Sequence, residues 1–397
     1  MNQRRVVVTG AGVIAPCGIG TEAFWAGLSK APKPGATLEV EGFEGADWFD
    51  PPKAARRIDR FAQFAIAATE MALDQAGHFE GDPTRTGVWI GSGVGGLNTL
   101  ETQIQTFYDK GPRRVSPFLV PMMMSNAASA AVSMRHGWQG PCETTVTACA
   151  AGTHSISNAA MLVASGRCDT MITGGTESAL TPTGIQGFAN MTALSRVGAS
   201  KPFDAERDGF VMAEGAGVLI IEALDTALAR GATPIAEILG SASTADAHHI
   251  TAPAPGGSGA VACMQLAMSQ ADLQPADVSY INAHGTSTPL NDAAEAEALV
   301  ELFGASTGEA PGPPVTSLKG VTGHALGAAG AIEAVSVVLS MQHRKVPPTM
   351  GTAALDPKLA PINLVLHSPQ EWTPGPTLSN SFGFGGHNGT LVLGPAD

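Results

Sequence analysis

Residues Thr145–Ser155 read TVTACAAGTHS. A β-branched run leads to a single cysteine, Cys149. Ala150-Ala151-Gly152 is then small enough for a sharp turn, and a helical pattern starts at Thr153. Thr145–Ala148 reads as a strand end, so the stretch is strand, turn and helix. A lone cysteine is ordinarily an inert core residue. At a helix N-terminus, however, a thiol feels the positive end of the helix dipole, which lowers its pKa. Its small neighbours leave room for a substrate.

The same junction recurs along the chain. RVVVTG, TGVWIGSG, DTMITGG, VSYINAHG and PVTSL read as buried strands ending in Gly or small residues. FAQFAIAATEMALDQAG and GAIEAVSVVLSMQ place apolar residues at i, i+3, i+4 and i+7. The alternation implies an α/β fold of parallel strands with crossover helices. There is also a two-fold echo. TACAAG leads into THSISNAAMLVASG, and VTGHALGAAG leads into AIEAVSVVLSMQ. Each puts a reactive side chain on a Gly-rich turn ahead of a helix, as a duplicated α/β half would. No Ser/Gly linker separates two domains, and Ala31–Gly35, Thr251–Gly259 and Gly308–Pro314 read as surface loops.

The chain has 397 residues, enough for one large α/β unit or two fused domains. Its formal charge of −13 argues against a general nucleic-acid surface. The five cysteines, Cys17, Cys142, Cys149, Cys168 and Cys263, are scattered and match no metal spacing, which fits reduced thiols in a cytoplasmic protein. MNQRRVVVTG holds no signal-peptide core, and no apolar run reaches the ~18 residues that span a bilayer. Neither a metal nor a resident cofactor is expected.

GAGVIA (Gly10–Ala15) and GSGVGG (Gly91–Gly96) match a dinucleotide glycine fingerprint. The first runs into Pro16-Cys17-Gly18, which blocks an immediate helix. The second is followed by no acidic residue at the ribose position. Both read instead as glycines for close strand-to-loop packing.

A nucleophilic thiol needs partners. His284 follows the strand VSYIN in NAHGTSTP, and His324 lies in SLKGVTGHALGAAGAIEA ahead of a helix. A single histidine is usually a satisfied core residue; two at Gly-flanked junctions suggest a site. Lys319 and Glu333 flank His324, either as a solvated pair or as a charge pair that sets the local field. In LSNSFGFGGHNGTLVL the glycines forgo strand packing. Such a loop is either a Gly-rich hairpin or a source of backbone N–H groups for an oxyanion hole.

Cys in TACAAG, His in NAHGTSTP, Lys and His in SLKGVTGHALGAAG and the SFGFGGHN loop appear in this order. Together they resemble the elongating β-ketoacyl-acyl-carrier-protein synthases of the thiolase-fold superfamily. The likeness runs from RRVVVTGAGVIAP to GTLVLG and includes RIDRFAQFA, GPRRVSPFLVP, FDAERDGFVMAEGAG and DAHHITAP. It implies a five-layered αβαβα fold of two similar halves, 1–240 with the nucleophile and 241–397 with both catalytic histidines, usually as a homodimer. It further implies that Cys149 takes the acyl group from an acyl carrier protein. His284 and His324 would stabilise the enolate left by malonyl decarboxylation, supported by Lys319 and Glu333. The backbone N–H groups of Cys149 and Phe384 would form the acyl oxyanion hole. Thr251, Thr286 and Thr288 match positions lining the channel for the phosphopantetheine arm. Phe384, with Phe382, would gate the acyl pocket, which Val94 and Leu119 would line.

Thr192 stands where some relatives carry an Arg that holds the acidic carrier protein. Arg56, Arg57, Arg60, Arg113 and Arg114 are the candidate substitutes. His387 replaces a Thr common in bacterial members. GIGTEAFWAGL is similar to ketosynthases of type II polyketide pathways, so fatty-acid and polyketide roles, and a heterodimer with a chain-length-factor-like subunit, stay open. A biosynthetic thiolase would need a second catalytic Cys near the C-terminus, but the last here is Cys263. A chain-length factor would lack Cys149.

Overall fold

The computed structural model describes residues 4–77, 79, 81–306 and 311–396. The expected loop Gly308–Pro314 lies partly outside them. The strands are β1 (Val6–Ala15), β2 (Thr86–Gly91), β3 (Cys142–Glu143), β4 (Thr170–Glu177), β5 (Gly215–Ala223), β6 (Ala236–Ala245), β7 (Tyr280–Asn282), β8 (Val315–Thr316), β9 (Thr377–Gly383) and β10 (His387–Gly394). They form one sheet in the order β3-β2-β4-β5-β1-β6-β10-β9-β7-β8, and Gly18–Ile19 pairs with the end of β1.

The order contains one pattern twice. In the first half β2 runs parallel to β3 and β4, while β5 is antiparallel to β4 and β1. In the second, β7 runs parallel to β8 and β9, while β10 is antiparallel to β9 and β6. The halves join where Val6–Val8 pairs with Ala236–Ile238. The expected parallel strands with crossover helices are therefore joined by antiparallel ones, and the sheet is mixed. Where only Phe384–Gly386 connects β9 to β10, no crossover helix fits, and the pair must be antiparallel. A boundary after residue 240 would cut β6, which pairs along its length with β10.

The helices that matter to the site are α1 (Arg60–Ala76), α2 (Leu97–Lys110), α3 (Ala151–Ala164), α4 (Pro182–Asn190), α5 (Ser258–Gln270), α6 (Pro289–Phe303) and α7 (Ala329–His343). α3 and α7 form the central layer and touch strands of both halves; α1 covers β1 and β5 outside, and α5 covers β6 and β10. Every residue from Ala329 to Met341 is buried, as a largely apolar helix packed against strands of both halves requires. GAGVIA is not a loop but part of β1. A Cβ at Gly10 would sit 2.1 Å from the Ala72 carbonyl oxygen, and one at Gly12 1.9 Å from that of Ala68. These glycines let the strand meet α1, so the packing is strand-to-helix. The second glycine motif does open a helix, α2. No helix among the described residues is long and apolar enough to cross a membrane.

Candidate active site

The strand before Cys149 is shorter than expected, ending at Glu143, and the helix begins two residues early, at Ala151. Between them Ala148–Ala150 forms a 3-10 turn. Ala148 adopts φ 50°, a left-handed conformation uncommon for a residue with a side chain. The second half repeats the device. Leu326, at φ 44°, opens the 3-10 turn Leu326–Ala328 ahead of α7. The echo in the sequence is thus a repeated backbone shape at both central helices.

The two histidines converge on this turn. One ring nitrogen each of His284 and His324 and the Cys149 sulfur lie within 4.8 Å of one another, and all three residues are buried. The imidazoles meet edge to face at 5.4 Å. His284 follows β7, and its backbone is clamped by a carboxylate on α6. Glu295 accepts from the N–H of His284 at 2.8 Å and of Gly285 at 2.7 Å. His324 is held through its main chain, its N–H donating to Val211 O at 2.8 Å and its carbonyl accepting from Ala213 N at 3.0 Å. Phe210 packs edge-on against its ring at 4.8 Å.

Lys319 and Glu333 are buried behind the histidines and form a direct ion pair, so the solvated-pair alternative is excluded. Lys319 Nζ also donates to the His284 carbonyl at 2.5 Å and lies 3.4 Å from His284 Nδ1. An ammonium has no lone pair to offer, so Nδ1 is the acceptor and the ring proton sits on Nε2. Burial, reinforced by Lys319, pushes both histidines well below the ordinary imidazole range, and they are neutral at physiological pH. His324 Nδ1 is buried with no partner among the described residues. Burial raises the Glu333 carboxyl to about 7 against the pull of Lys319.

The expected lowering of the Cys149 pKa is not met. Burial raises the thiol to about 11, although Lys319 and a hydrogen bond from the Phe384 N–H act the other way. The reason is magnitude. A helix terminus is worth about 0.3–1 kcal/mol, whereas full burial shifts a group by up to ~3–5 pKa units.

SFGFGG is a Gly-rich hairpin, one of the two readings the sequence allowed. It is the hairpin β9–β10, and its turn delivers a backbone N–H to the cysteine sulfur. Gly383 is needed because a Cβ there would lie 2.9 Å from Thr147 O and 3.1 Å from Cys149 N. Asn388 Nδ2, donating to Asp246 at 2.7 Å, ties the hairpin to the Asp246–Gly257 segment.

Cys149, His284 and His324 open into a cavity of ≈ 310 Å³. Thr251, Thr286, Thr288, Phe382 and Phe384 line it, and Thr192 stands there too. Thr286 and Thr288 share a hydroxyl contact of 2.9 Å. Val94 and Leu119 do not line this cavity; Val94 is 44% exposed on the loop after β2, and Leu119 begins the short helix Leu119–Met123. The arginines are absent from it as well. Arg56, Arg57, Arg113 and Arg114 are exposed, with Arg57 4.9 Å over the Phe118 ring. Arg60 is committed elsewhere, bound in a fork to buried Glu214 at 2.7 and 3.0 Å. It therefore fails as a docking candidate. Glu295 and Phe210 were missed; a carboxylate that accepts main-chain N–H groups leaves no local sequence pattern. By donor type, Cys149 and the two histidines resemble a soft-metal set. The Lys319 ammonium beside His284 opposes a cation there.

A buried thiol, two neutral imidazoles and a main-chain donor at the floor of a cavity define an enzyme that handles acyl thioesters. The β-ketoacyl synthase N-terminal domain family matches residues 29–227, and the C-terminal domain family matches residues 235–353. The chain belongs to the β-ketoacyl synthase family, and its fold is thiolase-like. It is 44% identical over 414 residues to the 3-oxoacyl-[acyl-carrier-protein] synthase 2 of Synechocystis sp., covering 99% of this chain and 98% of the relative. It is 45% identical over 410 residues to that of Staphylococcus aureus, covering 98% of each. Among solved structures it is similar to the ishigamide ketosynthase/chain length factor (TM-score 0.91, 31% identity, 100% of both chains). It is also similar to a type II polyketide ketosynthase complex with its acyl-carrier protein (TM-score 0.89, 30% identity, 99% of this chain and 100% of the other).

Proposed function

We propose that the protein is a β-ketoacyl-acyl-carrier-protein synthase that catalyses decarboxylative Claisen condensation in fatty-acid or type II polyketide elongation. The observation that supports it best is the convergence of Cys149, His284 and His324 within 4.8 Å. The Cys149 sulfur attacks the thioester of an acyl carrier protein. Negative charge on the carbonyl oxygen is met by the N–H groups of Cys149 and Phe384. The carrier's thiol leaves, taking up the proton that the cysteine gives, with a neutral imidazole in reach to pass it. Malonyl carrier protein then enters through the channel of Thr251, Thr286 and Thr288. Loss of carbon dioxide leaves an enolate, and the imidazole N–H groups stabilise its oxygen. Its carbon attacks the acyl-Cys149 thioester, and the thiolate is released as the β-ketoacyl product forms. Lys319 and Glu333 fix the His284 tautomer and balance charge. No step calls for a resident cofactor, since the phosphopantetheine arm travels with the carrier.

The same proposal places the nucleophile on residues 1–240 and the histidines on 241–397, and puts the enzyme in the cytoplasm. That compartment agrees with five free cysteines. The exposed apolar residues Val94, Phe107, Phe118, Val120 and Met124 support a dimer. A second copy is one partner, and a chain-length-factor-like subunit is the other, favoured by the likeness to ketosynthase/chain-length-factor pairs. Sedimentation of the protein alone separates the two. Val94 and Leu119 fit an acyl pocket completed at that interface, and Arg56, Arg57, Arg113 and Arg114 fit carrier docking.

The test is Cys149→Ala. The variant folds, because Ala fits beside Ala148 and Ala150. It loses condensation and keeps decarboxylation of malonyl carrier protein. Parental elongation by this variant would sink the assignment.

A further inference from the structure

Glu177 ends β4 and is fully buried. Its Oε1 accepts from Ser92 Oγ at 3.0 Å. Its Oε2 accepts from the N–H of Gly93 at 2.6 Å and of Gly327 at 3.0 Å. These donors are 84, 85 and 150 residues away in sequence. They belong to the loop after β2 and to the Leu326–Ala328 turn that begins α7. The fit leaves no room for side chains. A Cβ at Gly327 would lie 2.2 Å from Gly93 N, and one at Gly93 2.7 Å from Glu177 Oε2. The other side of Gly327 faces the nucleophile's helix, where a Cβ at Gly152 would meet Gly327 O at 3.0 Å. The Leu326–Ala328 turn packs directly on the Ala148–Ala150 turn. Carboxylate, second turn and nucleophile turn thus form one stack.

Charge acts along the same stack. The charged and titratable groups facing Cys149 are Lys319, which favours the thiolate, Glu177, which opposes it, and the two imidazoles. Around Glu177 itself stand Ser92, the N–H groups of Gly93, Val94 and Gly327, and Cys149. Burial raises its carboxyl to about 7, so Glu177 is ionised throughout the range where the thiol titrates.

Building on the ketosynthase reading, we propose that Glu177 is a positioning residue for Cys149. Its carboxylate braces the turn on which the nucleophile's turn rests, and its negative charge adds to burial in disfavouring the thiolate. The second role shields an unloaded active-site cysteine from adventitious electrophiles and oxidants, which attack thiolates.

Two substitutions separate brace from charge. In Glu177→Gln the side-chain carbonyl keeps both backbone donors at the Oε2 position, and the NH₂ donates to Ser92 Oγ. That hydroxyl also accepts from Gly95 N at 2.9 Å and has a lone pair to spare. Glu177→Gln thus loses the charge and reverses one hydrogen bond, so that the Ser92 O–H gives up its acceptor, while both backbone contacts of the brace stay. Glu177→Ala loses charge and brace together and leaves Ser92, Gly93 and Gly327 unpaired. The probe is iodoacetamide, with alkylation of Cys149 followed by peptide mass from pH 7 to 10.5. Glu177→Gln moves the profile about one pH unit toward acid, so that alkylation at fixed pH is roughly tenfold faster. Glu177→Ala, with its fold checked by circular dichroism, elongates about 10²-fold more slowly, the size of loss expected for a misplaced reacting group. A Glu177→Gln profile identical to the parent's overturns the charge role. A folded Glu177→Ala that elongates at the parental rate overturns the brace. If Glu177→Ala does not fold, Glu177→Asp takes its place, keeping the charge but falling a methylene short of Gly93 and Gly327, and elongation by it at the parental rate overturns the brace. Failure of the ketosynthase reading looks different: the parental protein itself would take no acyl group from an acyl carrier protein, whatever its alkylation profile.

Discussion

Gly383→Ala is the sharpest probe of how the hairpin serves the nucleophile. The added Cβ would lie 2.9 Å from Thr147 O, 3.1 Å from Cys149 N and 3.3 Å from Ala150 N. All three are backbone atoms, so no rotamer change relieves the contact. Either the hairpin or the Ala148–Ala150 turn must shift. Overpacking of this kind costs about 1–3 kcal/mol of stability. The chemical cost is larger in proportion. The shift would spread apart the N–H groups of Cys149 and Phe384, the proposed oxyanion donors, and one lost donor lowers the rate by about 10²–10³, roughly 2.7–4 kcal/mol of barrier. The assay measures two half-reactions: acylation of Cys149 by an acyl carrier protein and decarboxylation of malonyl carrier protein. Acylation should fall by the full factor. Decarboxylation, the step proposed for His284 and His324, should fall much less. Parental acylation by a folded variant would refute the reasoning, as would equal loss in both steps.

His284→Ala and His324→Ala should each lose about 10²–10³ in malonyl decarboxylation while keeping some acylation of Cys149; decarboxylation at the parental rate would return both residues to a structural role. Because burial disfavours the charged form, the thiol near 11 should leave about one part in a thousand as thiolate at pH 8. Iodoacetamide labelling of Cys149 should therefore keep rising roughly tenfold per pH unit toward pH 10.5, and a plateau by pH 8 would restore the low-pKa expectation. Reversing Arg57 and Arg113 to Glu should raise KM for carrier-bound substrates and spare small thioester surrogates; equal loss on both excludes docking. Arg60→Ala should instead destabilise the fold by about 2–3 kcal/mol, less than for a fully buried pair because Arg60 is partly exposed, by stranding buried Glu214. A melting curve unchanged from the parent's would count against that.

The sequence made legible those parts whose chemistry is local. Cys149, His284 and His324 each sit at a glycine-flanked junction, and a junction can be read from a dozen residues. The helices Arg60–Ala76 and Ala329–His343 lay within a residue of their apolar periodicity. Other features depend on partners far along the chain. Glu295 and Glu177 act by accepting main-chain N–H groups, which any residue can offer. Arg60 resembles an exposed arginine until Glu214, 154 residues later, takes it. The acidity of Cys149 was misjudged because dipole and burial oppose each other, and only the fold sets the depth of burial. Strands β5 and β6 were passed over, and β9 and β10 were offered only as one of two readings, a Gly-rich hairpin. Their glycines and small polar residues dilute the β-branched signal, and their antiparallel pairing follows from topology.

The position of β10 has a consequence for how the protein is made. It is the last strand in chain order, yet it lies inside the sheet, hydrogen-bonded to β9 on one side and β6 on the other. During synthesis β6 and β9 emerge first, and each waits with an open edge of unpaired backbone groups, the kind of edge that recruits foreign strands. Cys149 is translated early, but Phe384 and β10 follow far behind it, so the nucleophile is made long before its surroundings are. The nascent chain is therefore most prone to misassociation in the interval before His387–Gly394 slots between its neighbours. Insertion of that one strand closes the sheet and finishes the active site in a single event.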